Sequence, residues 1–389
     1  MKALNNNAHP LESLLKQHCP NGVEFKELGE LCEIRTGKLN ANAKVENGKY
    51  PFFTCDETPY TINTYAFDCE AILISGNGSK VGHIHFYKGK FNAYQRTYIL
   101  SDFSIITSRF LFFILDTFLK SYILTKCKKA SIPYITLPML ENFPIPLPPL
   151  EIQQKIVDIL DAFTELQAEL QAELQARLKQ YHYYRNKLLS HDELENRTAK
   201  SRNDSDPATL VPYVRLGEVC EIQKGRQLNK TELLDNGKFP VINGGISPSG
   251  FWNEGNCKAN RITISQGGAS AGYVNFMLIP FWAGAHCYVI ENEKENVVYK
   301  FLYYILKNQQ TFLMTSQYGA GIPALAKSKI EQLKIPLPPL SVQEEIVELL
   351  DKFDTLTNDL TSGIPAEIEA RKKQYEYYRE RLLSFITKD

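Results

Sequence analysis

The chain has 389 residues, too many for one ordinary hydrophobic core, so two or three domains are expected. Its composition is that of a folded globular protein, and the 8 cysteines include no Cys-x-x-Cys pair and no histidine at metal-ligand spacing, which excludes a disulfide scaffold and a zinc ribbon and fits a reducing cytoplasm. The 44 basic residues balance 44 acidic ones, and neither an apolar leader nor a long apolar run occurs, so secretion and membrane insertion are not expected.

Residues 1–149 form a first globular part. The apolar runs "AILIS" from Ala71 and "HIHFY" from His83 read as strands, and "RFLFFILDTFLKSYIL" from Arg109 reads as a helix. Between the two strands lies "SGNGSKVG" from Ser75. Its glycines are not at Gly-x-Gly-x-x-Gly spacing, no Gly-Lys-Ser/Thr follows, and a strand comes next instead of a helix, so it reads as a tight turn and not a phosphate loop. His83 and His85 share a strand face without a third ligand and read as packing or surface histidines.

At Pro146 the chain enters "PLPPL", a stiff extended lead that a helix cannot cross but can begin behind. The helix expected over 150–190 carries Ile152, Ile156, Ile159, Phe163, Leu166 and Leu170 at 4-3-4-3-4 spacing, a coiled-coil seam. Leu-Gln-Ala-Glu then occurs twice in succession from Leu166, and the apolar step becomes a steady four. Each such tetrad adds roughly 6 Å and about 400° of rotation, so one can be inserted with little turning of the helix face. Residues 191–210, with eight charges and two leucines, read as a linker.

A second globular part, 211–340, repeats the plan with "RITIS" from Arg261, "YVNFM" from Tyr273 and "YKFLYYILKNQQTFL" from Tyr299. A second helix is expected over 341–386, its seam formed by Val342, Ile346, Leu349, Phe353, Leu356 and Leu360, with Gly363 and Pro365 bending or breaking it. The chain is thus written twice. "IPLPPLEIQQKIVDILDAFTEL" from Ile145 recurs as "IPLPPLSVQEEIVELLDKFDTL" from Ile335, an offset of 190, and "KQYHYYRNKLLS" from Lys179 recurs as "KQYEYYRERLLS" from Lys373, an offset of 194. "LGELCEIRTGK" from Leu28 likewise matches "LGEVCEIQKGR" from Leu216. Charge follows the same division: residues 1–149 hold 16 Lys+Arg against 13 Asp+Glu and residues 201–340 hold 14 against 11, while the helical segments are acidic. The expected fold is α+β: two tandem mixed α/β domains joined by two long antiparallel coiled-coil helices, an internal duplication. Two such helices are expected to pair with each other, because each would project about 60 Å, beyond what one small domain covers.

No Asn-Pro-Pro-Tyr or Asp-Pro-Pro-Tyr segment is present, and the sequence gives no positive sign of a catalytic role. The tandem plan, with Pro-Leu-Pro-Pro-Leu before each helix and Gln153 or Gln343 three residues on, resembles the specificity subunit of type I restriction-modification enzymes. The resemblance implies two target-recognition domains, each reading half of a split sequence in double-stranded DNA. It implies a helical spacer that sets the gap, and methylation subunits, expected as two, docked on the helices. S-adenosylmethionine chemistry would lie in those partners, and ATP and Mg-dependent work in restriction subunits; no cofactor or metal is expected in this chain. A scaffold displaying two protein- or glycan-binding domains is the alternative.

Where the repeats share a frame but differ in polar side chains, the differences are candidate DNA readers. In the first copy these are Lys38, Asn40, Asn77, Ser79, Lys80, Gln95 and Arg96, with Lys126, Lys128 and Lys129 suited to the phosphate backbone; in the second they are Arg226, Asn229, Gln266, Ser270 and His286. Cys32 and Cys220, matched in the duplication, are expected to be buried packing. Tyr181, Tyr184 and Arg185, and their equivalents Tyr375, Tyr378 and Arg379, fit either packing at the helix ends or a partner-docking surface.

Overall fold

The structure is a computed structural model; it describes residues 17, 19–20, 22–126, 133–202, 211–317, 323–359 and 361–384. Lys128, Lys129 and Leu360 therefore lie outside the described residues. The chain folds as two compact units, Met1–Glu169 with Ile368–Asp389, and Leu170–Glu367.

In the first unit β1 (Glu24–Glu27) leads into the one-turn helix α1 (Leu28–Leu31), followed by β2 (Glu33–Thr36), β3 (Tyr50–Phe53), β4 (Tyr60–Ile62), β5 (Phe67–Ser75), β6 (Ile84–Ala93) and β7 (Thr97–Ser101). The helices α2 (Ser108–Lys126) and α3 (Leu137–Glu141), strand β8 (Pro144–Leu147) and the long helix α4 (Leu150–Leu188) complete it. The sheet order is β2-β7-β5-β6-β3-β4, antiparallel except for the β3–β6 pair, and β1 closes a separate ribbon with β8. Successive strand residues point to opposite faces, so the run in β5 is continuous because both faces are covered. Ile72 and Ile74 meet the core under α2 with Phe110, Ile114 and Leu119, while Ala71 and Leu73 pack on the other face with Phe53, Phe91 and Ile99.

The second unit begins within α4 and continues through α5 (His191–Arg202), β9 (Tyr213–Arg215), α6 (Leu216–Val219), β10 (Glu221–Lys224), β11 (Phe239–Ile242), β12 (Phe251–Trp252), β13 (Arg261–Ser265), β14 (Val274–Met277), β15 (Trp282–Ala283) and β16 (Cys287–Glu291). Then follow α7 (Tyr299–Asn308), α8 (Gln310–Thr315), α9 (Lys327–Glu331), β17 (Lys334–Pro336), α10 (Leu340–Asn358) and α11 (Ile364–Ser384). The first sheet is repeated here in two pieces, β10-β16-β13-β14 and β12-β11-β15. The cause is local: β14 and β15 stand where the single strand β6 stands in the first unit, and Pro280 between them has no N–H to give a ladder. The expected helix over 299–313 is likewise divided, at Gln309.

The expected linker over 191–210 is helical in its first part. Leu194 is fully buried in the second core and Thr198 is 2% exposed, while Arg197 pairs with Glu345 of α10 at 2.5 Å. Two buried positions four apart among charges are enough to fix one helix face.

The break expected at Gly363 and Pro365 is present between α10 and α11. Asp359 holds the turn, accepting the Thr361 N–H at 2.7 Å and the hydroxyls of Thr361 and Ser362 at 2.6 and 2.5 Å. These bonds, Ser362 foremost, lower its carboxyl pKa to about 2. Only glycine fits at 363: a Cβ there would stand 2.4 Å from the Thr355 carbonyl oxygen.

The helix ends are exchanged between the repeats. The start of α4 enters the core of its own unit through Ile152, Ile156 and Leu160, and that core is completed by Leu382 and Leu383 from the end of α11. There α11 runs antiparallel to α4, with Tyr378 stacked on Phe163 at 5.4 Å. In the second unit the end of α4 does the same for α10: Leu188 and Leu189 join Val342, Ile346 and Leu350, and Tyr184 stacks on Phe353 at 5.4 Å. Ile159 and Leu349 are half-buried against these cores, Leu166 and Leu170 are half-buried, and Leu356 is 38% exposed.

Gln153 and Gln343, both fully buried, fasten each long helix to its head. Gln153 donates to the carbonyls of Pro148 (2.9 Å) and Ile105 (3.3 Å) and accepts the Thr107 N–H (2.9 Å). Gln343 donates to Pro338 (2.8 Å) and Asn296 (3.0 Å) and accepts from Val298 (2.8 Å). A glutamine is suited here because one side chain must supply both a donor and an acceptor. Cys32 and Cys220 are buried, their thiols bonded to the carbonyls of Leu28 and Leu216 and pushed up to about 12 by burial.

Candidate nucleic-acid interface

In each head most of the candidate readers lie on loops beside the sheet that are tied by backbone hydrogen bonds. In the first, the Gln95 N–H reaches the Leu39 carbonyl (2.9 Å), the Gly76 N–H reaches Arg96 (2.9 Å), and the Ile135 N–H reaches Gly76 (2.8 Å). The Tyr98 hydroxyl donates to the Ile135 carbonyl at 2.9 Å. The second head repeats three of these bonds, Gln266 N–H to His286 (2.8 Å), Leu325 N–H to Gln266 (2.7 Å) and the Tyr288 hydroxyl to Leu325 (3.2 Å), and ties its first loop by a different one, Arg226 N–H to Ala283 (2.9 Å). Backbone bonds of this kind fix a rim whatever side chains it carries. The frame can therefore stay constant while the readers change.

Lys38, Asn77, Ser79, Lys80, Gln95 and Arg96 are brought together on the first rim, all exposed except the half-buried Asn77. Arg226, Gln266, Ser270 and His286 share the second; Arg226 and His286 are exposed there, and the Ser270 hydroxyl is committed to the Gly244 carbonyl at 2.6 Å. Asn40 and Asn229 stand beyond the rims, each opening a 3-10 turn, and Glu232 accepts the Asn229 N–H at 2.8 Å. Lys126 ends α2 with its ammonium 5.6 Å from the Tyr122 ring centre.

The sequence reading missed a fourth loop, the one after β3. There Cys55 donates to the Arg96 carbonyl at 3.5 Å, the His85 ring meets the Asp56 carbonyl at 3.3 Å, and Glu57 pairs with Lys80 at 2.6 Å. The hydrogen bond from Lys80 lowers the Glu57 carboxyl pKa, and burial lowers that of the His85 imidazole. In the second head this loop supplies Asn243, whose Oδ1 accepts the His286 N–H at 2.9 Å. Only the repeat alignment could have signalled it, since neither loop carries a motif.

Of the residues weighed as a docking surface, Tyr181 is 4% exposed and Tyr184 stacks on Phe353; Arg185 bonds Asn308 at 3.2 Å. Tyr375 and Tyr378 pack against Phe163, and Arg379 pairs with Asp116 at 3.1 Å. At these helix ends Tyr183 is 60% exposed and Tyr377 51% exposed, and Tyr184, although stacked on Phe353, is 37% exposed.

No helix among the described residues is long and apolar enough to cross a membrane. The sequence matches the type I restriction modification DNA specificity domain twice, at residues 20–180 and 211–370. It is 31% identical to a putative type I restriction enzyme specificity subunit of Haemophilus influenzae, over 98% of this chain and all of that one. It is 32% identical to the EcoR124I/EcoR124II specificity subunit of Escherichia coli over 63% of each chain. In fold it is similar to the crystal structure of a type I restriction-modification S subunit from M. genitalium, with a TM-score of 0.63 and 20% identity, covering 100% of this chain and 98% of that one. One matched domain per repeat, and a relative aligned over its whole length, show that the chain belongs to the type I restriction-modification DNA specificity family.

Proposed function

We infer that each head reads one half of a split DNA sequence and that the helices set the gap between the halves and dock two methylation subunits. The observation that carries this is the pair of rims, which share two backbone hydrogen bonds and a tyrosine tie but bear unlike polar side chains. Arg, Lys, Asn and Gln recognise base edges, while small residues admit phosphates to backbone N–H groups. Adenine methylation with S-adenosylmethionine, and ATP- and Mg-dependent restriction, belong in this reading to partner subunits in the cytoplasm. No observation favours the scaffold alternative.

The gap is set by helix length. The 39-residue α4 is continuous through both Leu-Gln-Ala-Glu tetrads. Deleting residues 170–173 removes roughly 6 Å of rise and about 400° of rotation, against about 3.4 Å per base pair of DNA. Strand-resolved adenine methylation mapping in cells carrying the deletion should find both half-sites kept and the gap shortened by one or two base pairs. Altered half-sites with an unchanged gap would defeat the ruler, and a methylation pattern indifferent to the gene itself would defeat the whole reading.

A further inference from the structure

The Glu57–Lys80 pair has no equivalent in the second head, where residues 243–247 carry no charge and Ser270 stands in place of Lys80. The two side chains are 56% and 47% exposed, and an ion pair so open to solvent adds little to folding. A carboxylate on a rim that meets phosphates also weakens general attraction to DNA. Neither stability nor general affinity accounts for it, whereas base recognition does.

A carboxylate accepts from the cytosine N4 amino group, and an ammonium donates to guanine O6 and N7. In a C·G pair N4 and O6 lie side by side in the major groove, joined by their own hydrogen bond at about 2.9 Å. Glu57 Oε1 and Lys80 Nζ are 2.6 Å apart, close to that spacing and with the opposite order of donor and acceptor. Two carboxylate oxygens and three ammonium protons allow the pair to stay bonded to each other while both meet the base edge. The loop is held for this task by the Cys55 thiol on the Arg96 carbonyl and the Asp56 carbonyl on the His85 ring.

Resting on the DNA-reading role above, we propose that Glu57 and Lys80 act together as the reader of one C·G base pair in the half-site of the first head. The test maps methylation in cells producing the whole complex with Glu57→Gln or Lys80→Gln. It also measures binding of each complex to duplexes substituted at the affected position. Both variants should relax the same single position, with discrimination for C·G falling about 5- to 150-fold, the range of one good base contact. The other half-site and the gap stay as they were, which also reports intact folding. The proposal is overturned if the motif is unchanged in both variants, if they relax different positions, if no C·G pair occurs in that half-site, or if binding falls equally on all sequences as a phosphate contact would require. A methylation pattern that does not depend on the unmutated gene overturns the DNA-reading role as well, and so separates the two failures.

Discussion

Replacing Leu383 by alanine should weaken the first head, although the residue lies at the far end of the second repeat. Leu383 is fully buried in the core that contains Ile72, Phe110 and Ile156. A leucine-to-alanine change in such a core costs about 2–5 kcal/mol. A loss of about 3 kcal/mol raises the opening equilibrium of the affected unit on the order of 100-fold. Hydrogen exchange followed by mass spectrometry reads this segment by segment. Amides of β5 and α2 should exchange faster by that factor, while those of β13 and α7 keep their protection. Leu189→Ala, its repeat equivalent and 7% exposed in the other core, should do the reverse. If Leu383→Ala instead released β13 and α7 and spared β5 and α2, the exchange of helix ends between the repeats would be refuted.

Two further outcomes follow from buried polar groups. Gln153→Leu strips three hydrogen bonds from the head of α4 and leaves the Thr107 N–H without its acceptor; each buried group left unpaired costs about 1–3 kcal/mol, so denaturant unfolding of the first unit should move to lower concentration while that of the second holds. A single transition shifted equally for both units would contradict it. Lys307 is held to a pKa of about 8 by burial, with Arg185 adding to the effect and Asp354 opposing it. The folded protein therefore releases this proton before the unfolded chain does, so a burial cost paid in full below pH 8 is relieved between about pH 8 and pH 10.5. Relative to Lys307→Met, the stability of the second unit should rise across that window by roughly 3 kcal/mol; a flat difference from pH 7 to pH 11 would show that the ammonium is not desolvated.

Much of the architecture was legible because its signals are local. The duplicated strings, the apolar periodicity of α4 and α10, and the pair Gly363 and Pro365 each mark a feature within a few residues of themselves. The exchange of helix ends was not legible. Both repeats present the same stripe, Tyr181 to Leu189 and Tyr375 to Leu383, and a stripe states which face is apolar without naming the surface that covers it. Leu194 and Thr198 were hidden by the charges around them, so α5 read as a linker. Pro280 divided a strand that continues unbroken in the first repeat. On the rims, Lys80 is marked out by its residue type and its position in the repeat. Its partner Glu57 is 23 residues away on a loop without pattern, and only folding brings the two together.

The shared core of α4 and α11 also has a consequence for synthesis. Residues Leu170–Glu367 must be synthesised before the segment that closes the first head is made. At 5–20 residues per second this delay is roughly 10–40 s. During that interval the nascent chain carries an open apolar cleft beside Phe163, a ready site for chaperones. Any message cut short before Leu382 leaves the cleft open for good.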